Sequence, residues 1–359
     1  MSNKVIIAAA GSGKTTHLIE TALQARNAMI LITTFTEENE KEIRTRFFER
    51  NGCIPSNVVI QTWFSFLLQH GVRPYQGYLY DMNIAGLVLV NGRSAFGSRE
   101  TDIERHYLTG DKKIYSDKIA KFACRCDERS NGAVISRLSK IYTHVFIDEV
   151  QDLAGYDLEF LNKLFLAPLE ILLVGDPRQG TFSTNNSAKN KQFSRSGILD
   201  YFISSKKKFN LDIDSESLNI NYRCVSDICN LSNKLYPHMS ATASGNSVQI
   251  EHTGVYFLRS EDVEEYLQKY NPIQLRSSKS TDTHPAYQTL NFGVSKGLSF
   301  NRVLIYPTQP ILDWIIRGIE LKPTSKCKLY VAITRARYSV AIVYDYPDNT
   351  HIEGIILYK

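Results

Sequence analysis

The residues best suited to chemistry lie in a glycine loop, Ala8–Thr15, whose sequence is AAAGSGKT. Its glycines let the backbone wrap closely around phosphate oxygens and aim N–H groups at them. Lys14 can then reach the β- and γ-phosphates of a nucleotide, and the Thr15 hydroxyl can ligate Mg²⁺. Ala8 stands where the usual formula has its first glycine, so a flexible strand-to-helix turn is the alternative. The predicted nucleotide-binding residues are Ala10, Gly11, Ser12, Gly13, Lys14, Thr15 and Thr16.

A second chemical feature is the pair of adjacent carboxylates Asp148 and Glu149, which follows an apolar run. Asp148 would complete the Mg²⁺ site with Thr15, and Glu149 could orient and deprotonate an attacking water. Taken alone, such a pair at a strand end is commonly a solvated turn. Together with the glycine loop upstream, it predicts nucleotide hydrolysis.

Both features depend on elements that the apolar pattern predicts. Short apolar runs alternate with amphipathic stretches, which is typical of an α/β protein with a largely parallel sheet. The predicted strands are Val5–Ala9, Met29–Thr33, Val58–Gln61, His144–Asp148, Ile171–Gly175, Leu218–Asn221, Gly254–Arg259, Arg302–Tyr306 and Tyr338–Tyr344. The predicted helices include Lys14–Arg26, Glu37–Glu49 and Tyr156–Phe165.

The length of 359 residues predicts about two domains. The polar stretch Ser183–Ser217 is the candidate crossing, and we place the first domain at 1–190 and the second at 191–359. A reduced insertion at about 70–135 is expected in the first domain, because Asn91–Arg129 is polar and interrupts the strand pattern.

Composition excludes several classes of protein. The net charge of +5 is mild and permits a nucleic-acid partner without requiring one. The six cysteines include no Cys-x-x-Cys pair, so scattered reduced thiols are the expected state. The first residues lack the pattern of a signal peptide, and no apolar run is long enough to cross a bilayer. We therefore expect a cytoplasmic protein without a membrane partner, and its oligomeric state stays open.

Five further segments give a family resemblance. The segments 148–152, 175–179, 221–223, 295–300 and 330–336 read DEVQD, GDPRQ, NYR, SKGLSF and YVAITRA. In this order they resemble the motifs of UvrD/Rep-like superfamily 1 DNA helicases. The resemblance implies two RecA-like P-loop NTPase domains with parallel sheets, and ATP and Mg²⁺ as cofactors. It implies that Gln179 senses the γ-phosphate and that Arg223 and Arg335 are arginine fingers. The predicted catalytic residues are Lys14, Glu149, Gln179, Arg223 and Arg335.

The same resemblance implies single-stranded DNA as a partner. Thr34-Phe35 resembles a turn whose threonines contact phosphates, and Thr62-Trp63-Phe64 resembles another single-strand contact. Aromatic side chains suit binding without sequence preference, because any base can stack on them. Phe35, Trp63 and Phe64 could instead be core residues. The two interpretations are about even for Phe64, and stacking is favoured for Phe35.

The sequence departs from the family pattern at several places. It begins seven residues before Ala8, so a counterpart of the adenine-reading glutamine motif is missing, and Ser299 replaces a sugar-contacting glutamate. The segment Phe182–Asn186 replaces one that carries a base-stacking tryptophan, and Glu37-Glu38 places negative charge near the expected phosphate track.

The stretch of 73 residues from Arg223 to Lys296 (296 − 223) is too short for the large second-domain insertion of full-length relatives. This short form resembles the helicase-like component of Gabija-type antiphage systems, which implies an OLD-family nuclease partner. The alternative function is a nucleotide-gated sensor or adaptor with little or no unwinding. An RNA-directed helicase or a structural remnant is a third interpretation.

Overall fold

The computed structural model describes residues 3–185 and 187–359. They divide into two compact units, one that runs to Ile7 and resumes over Lys14–Asp214, and one formed by Ala8–Gly13 with Ser215–Lys359. No helix in the described part of the chain has both the length and the apolar character that a membrane span requires.

The first unit is built on a six-stranded parallel sheet. Its strands are β1 (Asn3–Ile7), β2 (Ile30–Thr34), β3 (Val58–Thr62), β6 (His144–Ile147), β7 (Glu170–Gly175) and β8 (Leu211–Asp214). They lie in the order β3-β2-β6-β7-β1-β8. Its helices are α1 (Lys14–Gln24), α2 (Glu37–Asn51), α3 (Trp63–Phe66), α4 (Ile103–Tyr107), α5 (Ile119–Arg129), α6 (Ala133–Ile141), α7 (Tyr156–Phe165) and α8 (Ile198–Phe209). The central strands are almost wholly buried, as parallel strands covered on both faces must be.

A small parallel pair, β4 (Gly86–Val88) and β5 (Lys113–Tyr115), lies in the insertion expected at about 70–135. Glu100 ties this region to α5, because it accepts hydrogen bonds from Tyr107 and Arg125 at 3.0 and 2.8 Å. Lys121 adds an ion pair to the same carboxylate at 2.7 Å.

The second unit carries another six-stranded parallel sheet. Its strands are β11 (Gly254–Leu258), β12 (Ile273–Arg276), β13 (Thr289–Asn291), β14 (Phe300–Tyr306), β15 (Ala336–Val343) and β16 (Ile356–Leu357). They lie in the order β13-β12-β14-β15-β11-β16. A separate parallel pair is β9 (Ile220–Asn221) and β10 (Ala243–Ser244), and the helices are α9 (Ser226–Leu235), α10 (Val263–Tyr270), α11 (Gln309–Arg317) and α12 (Pro323–Ile333).

These two sheets confirm the α/β class with two RecA-like domains. The small insertion in the first domain is present, and the described residues of the second contain no large insertion. The polar stretch Ser183–Ser217 is not a simple crossing, however. It contains α8 and β8, and β8 pairs with β1, so the first unit extends to Asp214 and not to residue 190.

Candidate nucleotide and nucleic-acid sites

The glycine loop joins the end of β1 to the start of α1. Gly11 and Gly13 have φ values of 68° and 81°, in the left-handed region that favours glycine. Ala8 has no such positive φ, which explains why alanine is tolerated there. Ser12 closes the loop by donating from its hydroxyl to the Ala9 carbonyl at 2.9 Å, and Lys14 is the first residue of α1. The sequence thus forms the strand–loop–helix turn that a phosphate needs.

Gly11 is also constrained by space within the second unit. A Cβ atom on Gly11 would lie 2.4 Å from Oδ1 of Asn221 and 2.9 Å from Cβ of Arg223. The backbone of the segment around Asn221 is bonded to the loop, since Tyr222 N donates to Gly11 O at 3.0 Å and Ala9 N donates to Leu218 O at 2.9 Å. Any side chain at Gly11 would therefore disturb both the loop and the segment that carries Arg223.

The two predicted ligands for Mg²⁺ lie together. Oγ1 of Thr15 is 3.3 Å from Oδ2 of Asp148, and Asp148 follows directly after β6. Burial and the neighbouring Glu149 raise the pKa of Asp148 to about 7, while Lys14 acts in the opposite direction. A hydroxyl and a carboxylate are oxygen donors of the kind that Mg²⁺ prefers, and this ion is commonly held by one or two carboxylates plus phosphates. The residues present therefore fit the ion.

Glu149 is held in an unusual backbone conformation, with φ of 54°. Its side chain is half-buried and accepts a hydrogen bond from Nε2 of Gln151. Gln151 in turn accepts a hydrogen bond from the backbone N–H of Asp176 at 3.0 Å through its Oε1. Backbone strain of this kind is frequent where a side chain must be aimed at a reaction centre.

Asp176 continues this chain of hydrogen bonds to Gln179. Its carboxylate accepts from Nε2 of Gln179 at 3.0 Å and from Nε of Arg178 at 2.7 Å, and all three residues are buried. The structure therefore connects Glu149 to Gln179 through Gln151 and Asp176. Gln151 and Asp176 lie within the motifs DEVQD and GDPRQ, but the sequence alone assigned neither residue a role.

Thr16 has a partner on the neighbouring helix. Its hydroxyl accepts a hydrogen bond from Nη1 of Arg46, on α2, at 3.1 Å. This contact joins α1 to α2. A direct role of Thr16 in nucleotide binding stays a prediction.

The two predicted arginine fingers are brought together in the second unit. Nη1 of Arg223 donates to the carbonyl of Thr334 at 3.1 Å. Arg335 is only 1% exposed, and it donates from Nε to Val331 O and from Nη1 to Leu298 O, each at 3.1 Å. Their contact with a nucleotide stays a prediction.

Of the predicted nucleic-acid residues, Trp63 requires a correction. It is 1% exposed, its ring packs against Phe66 and Phe160, and its indole N–H donates to Oδ1 of Asp157 at 2.7 Å. An indole enclosed in this way has no face on which a base could stack. Trp63 is a core residue, and its assignment as a nucleic-acid contact was wrong.

Asp157 is the centre of this buried polar network. Its Oδ2 accepts hydrogen bonds from the Thr184 hydroxyl and from Nδ2 of Asn185, the latter at 3.0 Å. Burial raises the pKa of Asp157 to about 6, although hydrogen bonds from Thr184, Trp63 and Asn185 lower it. Residues 182–185, the described part of that segment, are thus anchored through Thr184 and Asn185. Asn186 lies outside the described residues.

The other predicted nucleic-acid contacts, Thr62, Phe64, Thr34 and Phe35, differ in burial and in hydrogen bonding. Oγ1 of Thr62 accepts from Ser65 N at 3.2 Å and so caps α3, which is a structural use. Phe64 is buried and packs edge-on against Phe35, which is half-buried, with ring centroids 5.8 Å apart. The buried hydroxyl of Thr34 has no hydrogen-bond partner among the described atoms. Thr34 and Phe35 therefore remain the better candidates of the set.

The position of Glu37 and Glu38 explains why acidic residues are found near the predicted phosphate track. Both residues are exposed in the first turn of α2, whose N-cap is Thr36. Acidic side chains there complement the positive end of the helix dipole.

Family models match most of the chain. Residues 1–184 match a model described as an AAA domain, and residues 113–344 match one described as the viral superfamily 1 RNA helicase core domain. A comparison with curated proteins finds no match.

Solved helicase structures align with this chain. The crystal structure of arterivirus nonstructural protein 10, a helicase, aligns with 14% identity over 96% of this chain and 60% of that chain, with a TM-score of 0.51. The same arterivirus protein in complex with DNA aligns with 15% identity over 96% and 62% of the two chains and a TM-score of 0.48. The PRRSV helicase aligns with 12% identity over 97% and 53% and a TM-score of 0.45.

The chain thus spans about 60% of the length of the arterivirus helicase. At this identity the similarity shows the fold alone. The family follows from the match to the viral helicase core, which covers well over half of the 359 residues. This protein belongs to the superfamily 1 helicases.

Proposed function

We propose that the protein hydrolyses ATP with Mg²⁺ and couples hydrolysis to binding of, or translocation along, single-stranded DNA, as a motor of the UvrD/Rep type. The observation that supports the proposal is a set of hydrogen-bonded side chains within the first unit. Thr15 meets Asp148 at its start, and Glu149 is linked through Gln151 and Asp176 toward Gln179.

Each residue has a chemical task in this proposal. Lys14 would bind the β- and γ-phosphates, and Glu149 would orient the attacking water and accept its proton. Thr15 and Asp148 would hold Mg²⁺, which when bound polarises the phosphoryl oxygens.

A network within the first unit would also report on the state of the γ-phosphate. Because the side chains of Gln179 and Gln151 are both hydrogen-bonded to Asp176, a movement of Gln179 would be transmitted toward Glu149. Arg223 and Arg335 would neutralise charge that develops in the transition state.

The test is phosphate release by the full chain without nucleic acid and with single-stranded DNA, duplex DNA or single-stranded RNA of equal length. We expect turnover that requires Lys14 and that single-stranded DNA raises. A Lys14→Ala variant with wild-type turnover would contradict the ATPase assignment. Stimulation by RNA alone would support a nucleic-acid motor that acts on RNA in place of DNA.

A second candidate function is a nucleotide-gated sensor or adaptor. It is favoured by the burial of Trp63 and by the capping role of Thr62, because both side chains are then withdrawn from the expected nucleic-acid track. Turnover that no oligonucleotide changes, together with stable co-purification of a protein partner, would support this function over the motor.

The proposal extends to a partner. We propose that the protein acts with an OLD-family nuclease in antiphage defence, supported by the compact second unit, whose described residues lack a large insertion. Co-expression with such a nuclease and size-exclusion chromatography of the mixture tests this step. Separate elution of the two proteins, with and without ATP, would refute it.

A further inference from the structure

We infer that Thr334 is a positioning residue that aligns Arg223 and Arg335 together for hydrolysis. This inference rests on the proposed function for its meaning in catalysis. The geometry that carries it lies within the second unit, at the junction between α12 and β15.

Thr334 presents two different oxygen atoms to the two arginines. Its carbonyl accepts a hydrogen bond from Nη1 of Arg223 at 3.1 Å. Its hydroxyl oxygen lies 3.3 Å from Nη2 of Arg335, which donates to it. Thr334 has no exposed surface, so its own two oxygen atoms are shielded from water.

The hydroxyl of Thr334 is itself fixed by the helix. It donates to the carbonyl of Tyr330 at 2.8 Å, which leaves its lone pairs for the guanidinium of Arg335. The backbone N–H of Thr334 donates to the same carbonyl at 3.0 Å. The end of α12 is therefore anchored twice, and the anchored residue also presents the carbonyl that meets Arg223.

Each arginine is held independently at its other side. Asn221 Oδ1 accepts from the backbone N–H of Arg223 at 2.8 Å, and Leu298 O accepts from Nη1 of Arg335 at 3.1 Å. In addition to these contacts, Thr334 contacts the guanidinium groups of both arginines. A change in the position of either arginine would therefore alter the position of the other through Thr334.

A hydroxyl-specific substitution tests the inference. Thr334→Val removes Oγ1 while retaining a β-branched side chain, and Thr334→Ser restores the hydroxyl. We expect Thr334→Val to lower kcat by about 10- to 100-fold, because small misplacement of a catalytic group has effects of this size. KM for ATP should change by less than about threefold, because ground-state binding is retained. Thr334→Ser should recover at least about half of the wild-type kcat.

Thr289→Val is the matched control. Thr289 lies on β13 in the same sheet, and its hydroxyl accepts a hydrogen bond from Gln274 at 3.1 Å. Thr289→Val makes the same chemical change as Thr334→Val. Strands β12 and β14 lie between β13 and β15 in the sheet, so the control site is distant from Thr334. We expect its kcat to stay near the wild-type value. Equal losses of kcat in both Val variants would show a general effect on stability and overturn the inference.

Coupling between the arginines is measured with Arg223→Lys. If Thr334 aligns both arginines, the effects of Arg223→Lys and Thr334→Val on kcat should be non-additive, whereas Arg223→Lys and Thr289→Val should be additive. Additive effects in the first pair would overturn the inference.

A second measurement does not depend on turnover. In protein labelled with ¹⁵N-arginine, Thr334→Val should speed hydrogen exchange at the guanidinium groups of both Arg223 and Arg335, and Thr289→Val should leave both slow. Unchanged exchange at Arg223 would contradict the coupling even if the protein hydrolyses no ATP. Turnover that is independent of Lys14 would instead refute the proposed function and leave this exchange result to decide the inference.

Discussion

The buried carboxylate of Asp157 makes stability depend on pH in a direction that can be calculated. Its ordinary pKa is 3.8, and burial raises the pKa to about 6 in the folded protein. The folded state therefore binds this proton more tightly than the unfolded state does. The stabilisation of the folded state by binding of this proton is fully present below pH 3.8 and is lost as the pH rises through about 6.

Asp157→Asn removes the titration while keeping a polar side chain of similar shape. Between pH 4.5 and 7.5, deprotonation of the folded wild type costs about 2 kcal/mol, since one pKa unit corresponds to about 1.4 kcal/mol. We therefore expect the free energy of unfolding of the variant to rise relative to wild type by about 2 kcal/mol over this range. In absolute stability the variant loses part of the network, because an amide cannot accept from Trp63, Thr184 and Asn185 simultaneously.

Trp63 is the reporter for this measurement, because its indole donates to Asp157 directly. Urea unfolding is followed by tryptophan fluorescence in a Trp314→Phe background, at several pH values from 4.5 to 7.5. The matched control is Asp200→Asn on α8, where the side chain is exposed. We expect the control to keep the pH dependence of the wild type. A constant difference between Asp157→Asn and wild type at every pH would refute the reasoning.

Three further predictions follow from other sites. Gly11→Ala should abolish nucleotide binding, since its Cβ would lie 2.4 Å from Asn221 Oδ1 at a φ of 68°; isothermal titration with ATP tests this, and wild-type affinity would contradict the loop geometry. Hydrogen bonds from Arg125, Lys121 and Tyr107 lower the pKa of Glu100 to about 2 against the effect of burial, so its stabilisation is present above pH 4.5 and is lost as the pH falls toward 2. Glu100→Gln should therefore reduce the free energy of unfolding by about 1 kcal/mol at pH 7 and by less at pH 3, a value discounted because the carboxylate is partly exposed; equal losses at both pH values would refute this. Phe35→Ala should weaken binding of a single-stranded oligonucleotide by about 1–3 kcal/mol in fluorescence anisotropy, whereas a folded Phe35→Ala variant with wild-type affinity would exclude Phe35 as a stacking platform.

The sequence was most informative where local pattern and local chemistry coincide. The apolar runs predicted β1, β2, β3, β6 and β7 to within two residues, because buried parallel strands are short and continuous in hydrophobicity. The glycine loop was also predicted correctly as a strand–loop–helix turn, since its residues are adjacent in the chain.

The sequence was less informative where a role depends on distant partners. Trp63 meets Asp157 across 94 residues, and no local pattern distinguishes an aromatic ring in the core from one that binds a base. Helix α8 was missed because Ile198, Tyr201, Phe202 and Phe209 are spaced among serines and lysines. The spacing of these four apolar residues (i, i+3, i+4 and i+11) is nevertheless the signal in the sequence that indicates the helix. Thr334 lies within the motif YVAITRA, but its two arginine contacts are visible only in three dimensions.

The central claim is that the carboxylates after β6 perform nucleotide hydrolysis, and Glu149→Gln tests it most directly. Single-turnover hydrolysis of ATP is measured for wild type, Glu149→Gln and the exposed control Glu38→Gln, with ATP binding measured in parallel. Loss of a general base predicts a rate at least about 100-fold lower for Glu149→Gln, with ATP binding retained and Glu38→Gln unchanged. A Glu149→Gln protein that binds ATP and hydrolyses it at the wild-type rate would contradict the account.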